Sequence, residues 1–584
     1  MNALAEQVVE VSPVVPLRSP ELVMRLERMG AAHQSRLSFL RILLRRLADE
    51  RWSFERTRFD IDAAGVGTAL YQLTGPVRTY TLVAFAHDLD PTMRSDRVIA
   101  EAWDATFTLY DGVPEQRDID RLRAQVPSQE AGHLSERELT LSRANRSVRL
   151  FEHVVACLAR GAQPDASALD EVGYLMRTTA VYGSGKFGVS DRRALLDRDE
   201  FGAPFQVEMM TVWLIRAFTV DIVEHLAAVR APRTACRLAA HLRRRLGVGN
   251  STGLGMAPFM VTHPALIDRW FTVRETALAR VRSQTVMTAD DARALARQIG
   301  VLQRDAEVWR TTDVRQQARI AAYRGDLEVL ARFASRELPV RGGWNVIYEH
   351  AESVCAPEAC EALVGLLIDA HPEIVDALAA RLAIDETALG ELDGAMPVSA
   401  LVGLIERRFG YALALDFDSA AATARFWYTS VEKLEPRLGE RSMEPGQERE
   451  HPLAVARDVA ALYAALADAA PDQLLSDWLA TRVEYRHTAR RVQLAGTYPY
   501  AEIRDNVIDA DMLPLDILRC KLAFFGATRF DPRSDRWVRI NLFQRAPYPD
   551  EMPAAYRDDW IHTEGEPGRS GDSDAELPGR VSLS

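Results

Sequence analysis

The spacing of apolar residues changes character within the first 110 positions. From Pro20 to Arg51, leucine and methionine recur every three or four residues, which predicts an amphipathic helix. The apolar period then shortens to two, in short runs rich in aromatic and β-branched residues that glycine and proline separate. These runs lie at 54–62, 68–74, 79–87 and 105–110. They predict a small antiparallel sheet near the N-terminus.

Helical spacing dominates the rest of the chain. The helices that it predicts lie at 143–160, 204–229, 233–246, 264–282, 288–333, 358–382, 398–409, 419–434, 452–469 and 472–491. Thr288, with two aspartates shortly after it, has the form of a helix cap, and 536–542 is a candidate terminal strand. The pattern as a whole predicts a mainly α, multi-domain helical protein whose convincing sheet is the small antiparallel one near the N-terminus.

A chain of 584 residues is too long for one hydrophobic core, so several domains are expected. The ends, 1–18 and 546–584, lack helical spacing, and the second is rich in acidic residues, proline, glycine and serine, which predicts disordered tails. Between them we expect a helix with the small sheet at 19–115, a helical domain at 116–340 and a C-terminal helical domain at 341–545. Two glycine-rich segments fall in the middle domain.

Composition narrows the functional classes. No run approaches the roughly 20 apolar residues of a membrane helix, and the N-terminus lacks the basic start and apolar core of a signal peptide. The net charge of −12 argues against nonspecific binding of nucleic acid, whose phosphates attract clustered cations. The five cysteines and twelve histidines show no metal-ligand spacing. We therefore expect a cytoplasmic protein without a membrane, nucleic-acid or metal partner; any cofactor is unknown, and homo-oligomerisation stays open.

The first glycine-rich segment, Tyr182-Gly-Ser-Gly-Lys-Phe-Gly188, matches the pattern G-x-G-x-x-G, in which backbone amides approach a phosphate. A dinucleotide fold would also need a strand before it, a helix after it and an acidic residue about 20 positions on. Residues 175–182 could supply the strand and Asp199 the acid. Kinase motifs do not follow, and Ala180 and Phe187 replace the glycine and hydroxyl of a Walker A loop. Nucleotide binding therefore remains one alternative.

The second glycine-rich segment, 247–255, contains Asn250, Ser251 and Thr252 and is followed by His263. In a purely structural interpretation, Gly247 is the C-cap of the preceding helix and the rest is an ordinary turn. In a functional interpretation, the amides and hydroxyls of the segment hold an oxyanion or a carboxylate. The sequence leaves both interpretations open.

Together the two segments resemble those of the ammonia-lyases that act on histidine and phenylalanine. In that family an early Tyr-Gly-x-x-x-Gly-Phe-Gly loop is followed by an Ala-Ser-Gly segment that cyclises into an electrophile. Here Tyr182-Gly183 with Phe187-Gly188 resemble the first segment, and Ser251-Thr252-Gly253 with Ala257-Pro258 resemble the second. Threonine stands where the family has its central serine, and the resemblance covers only these short stretches. It implies chemistry of the lyase type.

Lysine is scarce in this chain. Only three of the 71 basic residues are lysines, at positions 186, 433 and 521, and a coding bias explains most of this scarcity. Because arginine readily replaces lysine at a surface, a retained lysine can mark a position that needs a compact ammonium or a removable proton. Lys186 lies in the first glycine-rich segment, and Lys521 precedes a charged turn that contains Arg529 and is suited to binding an anion.

These residues combine into a leading hypothesis. The protein would be an enzyme of small-molecule metabolism that binds an anionic substrate between the two glycine-rich segments and performs acid–base chemistry of the lyase or isomerase type. The expected catalytic residues are Tyr182, Lys186 and His263. The expected substrate-binding residues are Arg177, Thr178, Ser184, Asn250, Ser251, Thr252, Lys521 and Arg529. The alternatives are a nucleotide- or dinucleotide-binding enzyme and a noncatalytic helical scaffold.

Overall fold

The structure of the chain is a computed structural model. The residues that the structure describes are 15–25, 27–30, 33–90, 92, 103–125, 135–183, 195, 197–253, 264–382, 392–417, 427–429, 436–438, 451–453, 455–502, 521–531, 537–554 and 556–561. Helix is the majority structure among the described residues, and a large mixed sheet accompanies it.

Nine strands form the large sheet. The strands of the chain are β1 (Ser53–Ile61), β2 (Gly67–Thr74), β3 (Thr79–Ala86), β4 (Ala105–Asp111), β5 (Glu138–Arg146), β6 (Tyr174–Gly183), β7 (Gly247–Gly253), β8 (Trp427–Thr429), β9 (Pro436–Leu438), β10 (His451–Leu453), β11 (Ala527–Asp531) and β12 (Trp537–Leu542). The order across the large sheet is β1-β2-β3-β4-β5-β6-β7-β12-β11, and β8 to β10 form a separate three-stranded sheet. Neighbours in the large sheet are antiparallel except β6 and β7, which are parallel.

The expectation of a mainly α, multi-domain helical protein with only a small N-terminal sheet is therefore wrong. Strands β1 to β4 and β12 coincide closely with predicted strands, and 175–182, considered above as a strand, lies within β6. The prediction missed β5 and β7. It assigned no element to the start of β5 and placed the end of β5 in a helix. Strand β5 contains one β-branched residue, Thr140, and no aromatic residue, and three of the seven residues of β7 are glycine. Strands β3 and β4 are buried just as fully, but their aromatic and β-branched residues reveal them in the sequence.

Helices supply most of the remaining structure. The longer helices are α1 (Phe39–Asp49), α2 (Gln116–Gln125), α3 (Phe151–Ala159), α4 (Ala166–Val172), α5 (Gln206–Arg230), α6 (Pro264–Arg282), α7 (Ala289–Glu307), α8 (Val314–Arg336), α9 (Trp344–Val354), α10 (Pro357–Asp369), α11 (Pro372–Ala379), α12 (Val398–Arg408), α13 (Val455–Leu466), α14 (Leu475–Ala480) and α15 (Arg486–Thr497). Single helical turns lie at Pro20–Val23, Ala240–Arg243, Leu338–Arg341 and Gly410–Leu413.

Capping residues explain where two of these helices begin. The predicted cap at Thr288 is confirmed, since Thr288 and Asp291 exchange side chain to backbone hydrogen bonds at the start of α7. The single helix predicted over 288–333 is two helices, because Asp313 caps a second one by accepting a hydrogen bond from the backbone N–H of Gln316 at 2.8 Å. The helix predicted over 233–246 is reduced to the turn Ala240–Arg243.

Helices cover both faces of the large sheet. On one face the ring of Phe218 in α5 packs edge-on against Tyr71 and Phe107, and the hydroxyls of Thr140 and Thr211 lie 2.8 Å apart. On the opposite face α2 packs against β2 to β4. The apolar cluster there consists of Leu70, Val83, Phe85, Tyr110, Ile119 and Leu122. Burial of these two apolar layers provides the main driving force for assembling the sheet.

Candidate functional site

The parallel pair β6–β7 brings the two glycine-rich segments to one edge of the sheet. Arg177 lies opposite Gly249, and Thr178 lies opposite Asn250. Because the strands are parallel, their carboxyl ends at Gly183 and Gly253 point to the same edge, and each end leads directly into the remainder of a glycine-rich segment. The chain between the two strands includes α5, as a parallel crossover requires. In open sheets this end of parallel strands is where ligands commonly bind.

Packing accounts for the first glycines of the second segment. A β-carbon at Gly249 would lie 2.7 Å from the ring of Tyr174, and one at Gly247 would lie 2.4 Å from the backbone oxygen of Leu542. Both distances are too short for any side chain. The C-cap interpretation of Gly247 is wrong, because this residue begins β7 and follows a single turn that ends at Arg243. The absence of a side chain at these two glycines therefore leaves room for the ring of Tyr174 and for the backbone of Leu542.

Two of the predicted binding residues touch each other. The side-chain amide of Asn250 donates a hydrogen bond to the hydroxyl of Thr178 at 3.3 Å, and that hydroxyl donates to the backbone oxygen of Gly249 at 3.4 Å. Thr178 is fully buried and Asn250 is half-buried. Their register places both side chains on the face of the sheet that α5 covers, since Thr178 pairs with Ala144 of β5. The polar pair thus joins the two parallel strands midway along their length, before their carboxyl ends.

Arg177 lies on the opposite face from Thr178, because successive residues of a strand alternate. The cross-strand register aligns it with Asn145 of β5, Gly249 of β7 and Asn541 of β12. Asn145, Arg177 and Asn541 are all buried. The side-chain oxygen of Asn145 accepts a hydrogen bond from the backbone N–H of Asp104 at 3.0 Å. The side-chain amide of Asn541 donates to the backbone oxygen of Val172 at 3.4 Å. These three buried polar side chains therefore form a row across the sheet, from β5 through the parallel pair to β12.

Sequence reasoning missed two members of this row. It placed Asn145 in a predicted helix over 143–160, whereas the residue lies near the end of β5. Asn541 carried no signal beyond the scarcity of asparagine in the chain, which has six. Their rarity could have marked them, in the same way as the rare lysines.

A second buried polar cluster lies at the edge of the sheet reached by the carboxyl end of β6. Tyr80, at the start of β3, donates a hydrogen bond to the carboxylate of Glu200. Arg198 donates to the hydroxyl of Tyr80 at 3.3 Å and to the carboxylate of Asp111 at 2.7 Å. Burial, followed by the Glu200 hydrogen bond, raises the pKa of Tyr80 well above its usual value. Asp199, considered above as a ribose-binding acid, lies instead in the short 3₁₀ helix Asp199–Phe201.

The other predicted site residues fall into two groups. Tyr182, Ser251, Thr252 and Arg529 lie in strands, where their backbones pair with Leu141, Arg539, Val538 and Asn541, respectively. Ser184, Lys186 and His263 lie outside the described residues. Their predicted roles stay predictions.

Lys521 is buried at the start of a π-helical turn, Lys521–Phe525, that leads into β11. The first residue of β11, Ala527, pairs with Leu542, which in turn pairs with Val248. This end of β11 is therefore level with the amino end of β7, whereas Asn250 lies nearer the carboxyl end. The described strands do not place Lys521 beside the Thr178–Asn250 pair.

Asp268 is an acidic residue that no sequence motif singles out. It lies in the second turn of α6. This helix begins at Pro264, after residues 256–263, which follow the second glycine-rich segment. Its carboxylate accepts a hydrogen bond from the backbone N–H of Tyr500 at 2.7 Å. Burial raises the pKa of Asp268 to about 6. A carboxyl group with such a pKa can exchange a proton near neutral pH.

Neither metal-binding nor membrane-spanning features occur in the part of the chain that the structure describes. The described histidine, cysteine and acidic side chains form no group of three that could hold a metal ion. No described helix combines the length and apolar character needed to cross a bilayer.

No protein-family model matches the chain, and no curated protein or solved structure matches it. The resemblance to the ammonia-lyases therefore rests on the two short stretches of sequence alone.

Proposed function

We propose that this protein binds a small anionic molecule at the carboxyl ends of β6 and β7 and acts on it by acid–base chemistry of the lyase or isomerase type. The observation that supports this proposal is the parallel pairing of the strands that lead into the two glycine-rich segments, with Thr178 and Asn250 hydrogen-bonded between them. Backbone amides that follow such strands can bind an anion without any charged side chain.

The proposal assigns a role to eight of the eleven predicted site residues. Tyr182 and Lys186 exchange protons with the substrate, His263 assists as a second acid–base group, and Ser184 contributes amide and hydroxyl contacts. Asn250, Ser251 and Thr252 supply oxyanion contacts from the second segment. Arg177 supplies a positive charge from the opposite face of β6.

A nucleotide or dinucleotide is the second candidate ligand. Strand β6 runs directly into Gly183, as the G-x-G-x-x-G pattern requires, and it has a parallel neighbour. The other neighbours of these two strands, β5 and β12, are antiparallel, whereas a dinucleotide-binding sheet is mostly parallel, so we favour a smaller anion.

A ligand panel tests the proposal on the full-length chain. Thermal unfolding would be followed with inorganic phosphate, pyrophosphate, citrate, free amino acids, ATP and NAD. We expect a rise in Tm with a small phosphate or carboxylate, because a ligand that binds only the folded state stabilises it. A rise with ATP or NAD alone would favour the second candidate. No rise with any compound would contradict ligand binding and support the noncatalytic scaffold.

Lys186→Arg tests the role of the retained lysine, with Lys433→Arg as the matched control. Arginine keeps the positive charge but loses the compact ammonium and the removable proton. We expect Lys186→Arg to weaken binding of the active panel compound at least tenfold by calorimetry, while Lys433→Arg leaves it unchanged. Equal affinities in both variants would remove Lys186 from the site.

A further inference from the structure

The described N-terminal segment Val15–Ser19, which we name the N-terminal strap, inserts one arginine into the protein interior. The guanidinium of Arg18 donates two hydrogen bonds of 2.7 Å to the two carboxylate oxygens of Glu275 and a third, also of 2.7 Å, to Glu361. All three side chains are almost completely buried. Pro16 and Leu17 on the same strap are exposed. The strap is thus a surface segment anchored by one deeply buried charge.

The strap contacts helix α6 along much of its length. Glu275 lies in the middle of α6, and the backbone N–H of Val15 donates to the hydroxyl of Ser283, directly after the helix, at 3.3 Å. Tyr500 extends the contact to the beginning of the helix. Its hydroxyl donates to the backbone oxygen of Arg18 at 2.7 Å, while its backbone N–H donates to Asp268 at 2.7 Å.

The burial of these groups makes the anchor cooperative. Arg274 donates to the second oxygen of Glu361 at 2.6 Å and to Glu275 at 3.1 Å, so two arginines and two carboxylates form the buried centre of an ion-pair network. Its outer members are Arg28, 3.6 Å from Glu361, and Glu352, 3.8 Å from Arg18. Removing one member leaves the others charged in the interior, which is strongly unfavourable. Withdrawal of Arg18 therefore leaves an excess of negative charge on α6 and α10 and frees the hydroxyl of Tyr500.

We propose that the N-terminal strap is a conformational device that fixes the beginning of α6 through Arg18, Tyr500 and Asp268. When Arg18 occupies its site, Tyr500 is held from both ends and in turn holds Asp268. When Arg18 leaves, the first turns of α6 lose this support. Because α6 follows the second glycine-rich segment, strap release also weakens ligand binding; this second step rests on the function proposed above.

Hydrogen–deuterium exchange of the full-length chain tests the strap directly. Arg18→Ala and Tyr500→Phe would be compared with wild type and with Arg25→Ala, a control at a half-exposed arginine that pairs with Glu27. We expect residues 268–272 to exchange at least fivefold faster in Arg18→Ala and about threefold faster in Tyr500→Phe, with no change in Arg25→Ala. Helix α12 serves as an internal reference for global unfolding.

Two outcomes would overturn the strap proposal. One is unchanged exchange of residues 268–272 in both Arg18→Ala and Tyr500→Phe. The other concerns faster exchange of Arg18→Ala throughout the described chain, including α12, which would indicate global destabilisation. In that case Tyr500→Phe decides, because it removes only one hydroxyl. Exchange of its residues 268–272 at the wild-type rate would then contradict the proposal.

The effect of the strap on ligand binding is measured separately in the same variants. Affinity for the active panel compound should fall at least threefold in Tyr500→Phe. An unchanged affinity with faster exchange would retain the strap and reject its coupling to the ligand. If no panel compound binds wild type, the proposed function fails, while the exchange result still decides the strap.

Discussion

Gly249 shows how a single residue can mislead an interpretation based on sequence. Glycine-rich segments suggest a backbone that approaches a phosphate, yet the space above Gly249 is filled by the ring of Tyr174, only 2.7 Å from where a β-carbon would lie. The glycine lets β6 and β7 pair closely with an aromatic ring packed across them. The same composition can thus serve packing within the strand and ligand binding beyond its end.

Gly249→Ala should therefore destabilise the fold. The added methyl group meets a rigid ring in a buried sheet, so we expect a loss of about 1–3 kcal/mol in the free energy of unfolding, measured by urea denaturation. Gly325→Ala is the matched control, because a β-carbon there would meet nothing within 4 Å in the middle of helix α8. The control should gain about 0.5–1 kcal/mol from the better helix propensity of alanine. Similar stabilities for the two variants would contradict the packing role.

At the scale of elements, the sequence predicted strands that are rich in aromatic and β-branched residues. Strands β1 to β4 and helix α6 could be located from their periodicity, and helix α7 from its capping box. Strand β5 could not, because it contains one β-branched residue and no aromatic residue, and β7 could not, because three of its seven residues are glycine. Pairing between segments distant in sequence is invisible to local periodicity. The sequence therefore could not predict that Thr178 and Asn250 lie side by side on parallel strands, although it indicated both as candidate binding residues.

Helix α10 illustrates how buried charge ties elements together. Glu361 lies two turns before Asp369, and both side chains are almost fully buried. Glu361 accepts hydrogen bonds from Arg18 and Arg274, and Asp369 accepts from Arg41 at 2.9 Å. The helix thereby receives arginines from two separate N-terminal segments. Its apolar periodicity alone gave no indication of these contacts.

Glu361 should make stability depend on acid pH. Although burial opposes its ionisation, Arg18 and Arg274 lower the pKa of Glu361 to about 2. The unfolded value is about 4.3, so the stabilisation is present above that pH and is lost as the pH falls toward 2. We expect Glu361→Gln to lose about 3 kcal/mol at pH 7 in urea unfolding.

The pH series supplies the critical comparison for Glu361. The stability gap between wild type and Glu361→Gln should narrow between about pH 4.5 and pH 2.5, because wild type then protonates the same carboxylate. Glu373→Gln, at an exposed glutamate of the neighbouring helix α11, should differ little from wild type at any pH. A gap that stays constant from pH 6 to pH 3 would show that the charge of Glu361 does not stabilise the fold.

At the scale of the whole molecule, distant parts of the chain meet in one structure. The large sheet contains strands from β1, which begins at Ser53, to β12, which ends at Leu542. Near the chain ends, Arg41 of α1 donates to Asp369 of α10 and, at 3.1 Å, to Asp558. Buried ion pairs thus connect N-terminal, central and C-terminal segments. We expect the described regions to unfold in one cooperative transition that tryptophan fluorescence and circular dichroism report alike.

Asp558→Asn tests this connection between the chain ends. Arg36 and Arg45 also contact the carboxylate of Asp558, so its neutralisation leaves three arginines sharing fewer negative charges in a largely buried site. We expect the midpoint of the common transition to fall, with a loss of about 2–4 kcal/mol in urea unfolding. The neighbouring Asp559 pairs only with the exposed Arg557 among the contacts resolved for it, so Asp559→Asn should change stability by less than about 0.5 kcal/mol. If Asp558→Asn instead separated the fluorescence and dichroism transitions without lowering both, the ends would stabilise separate units, and the single-transition expectation would be wrong.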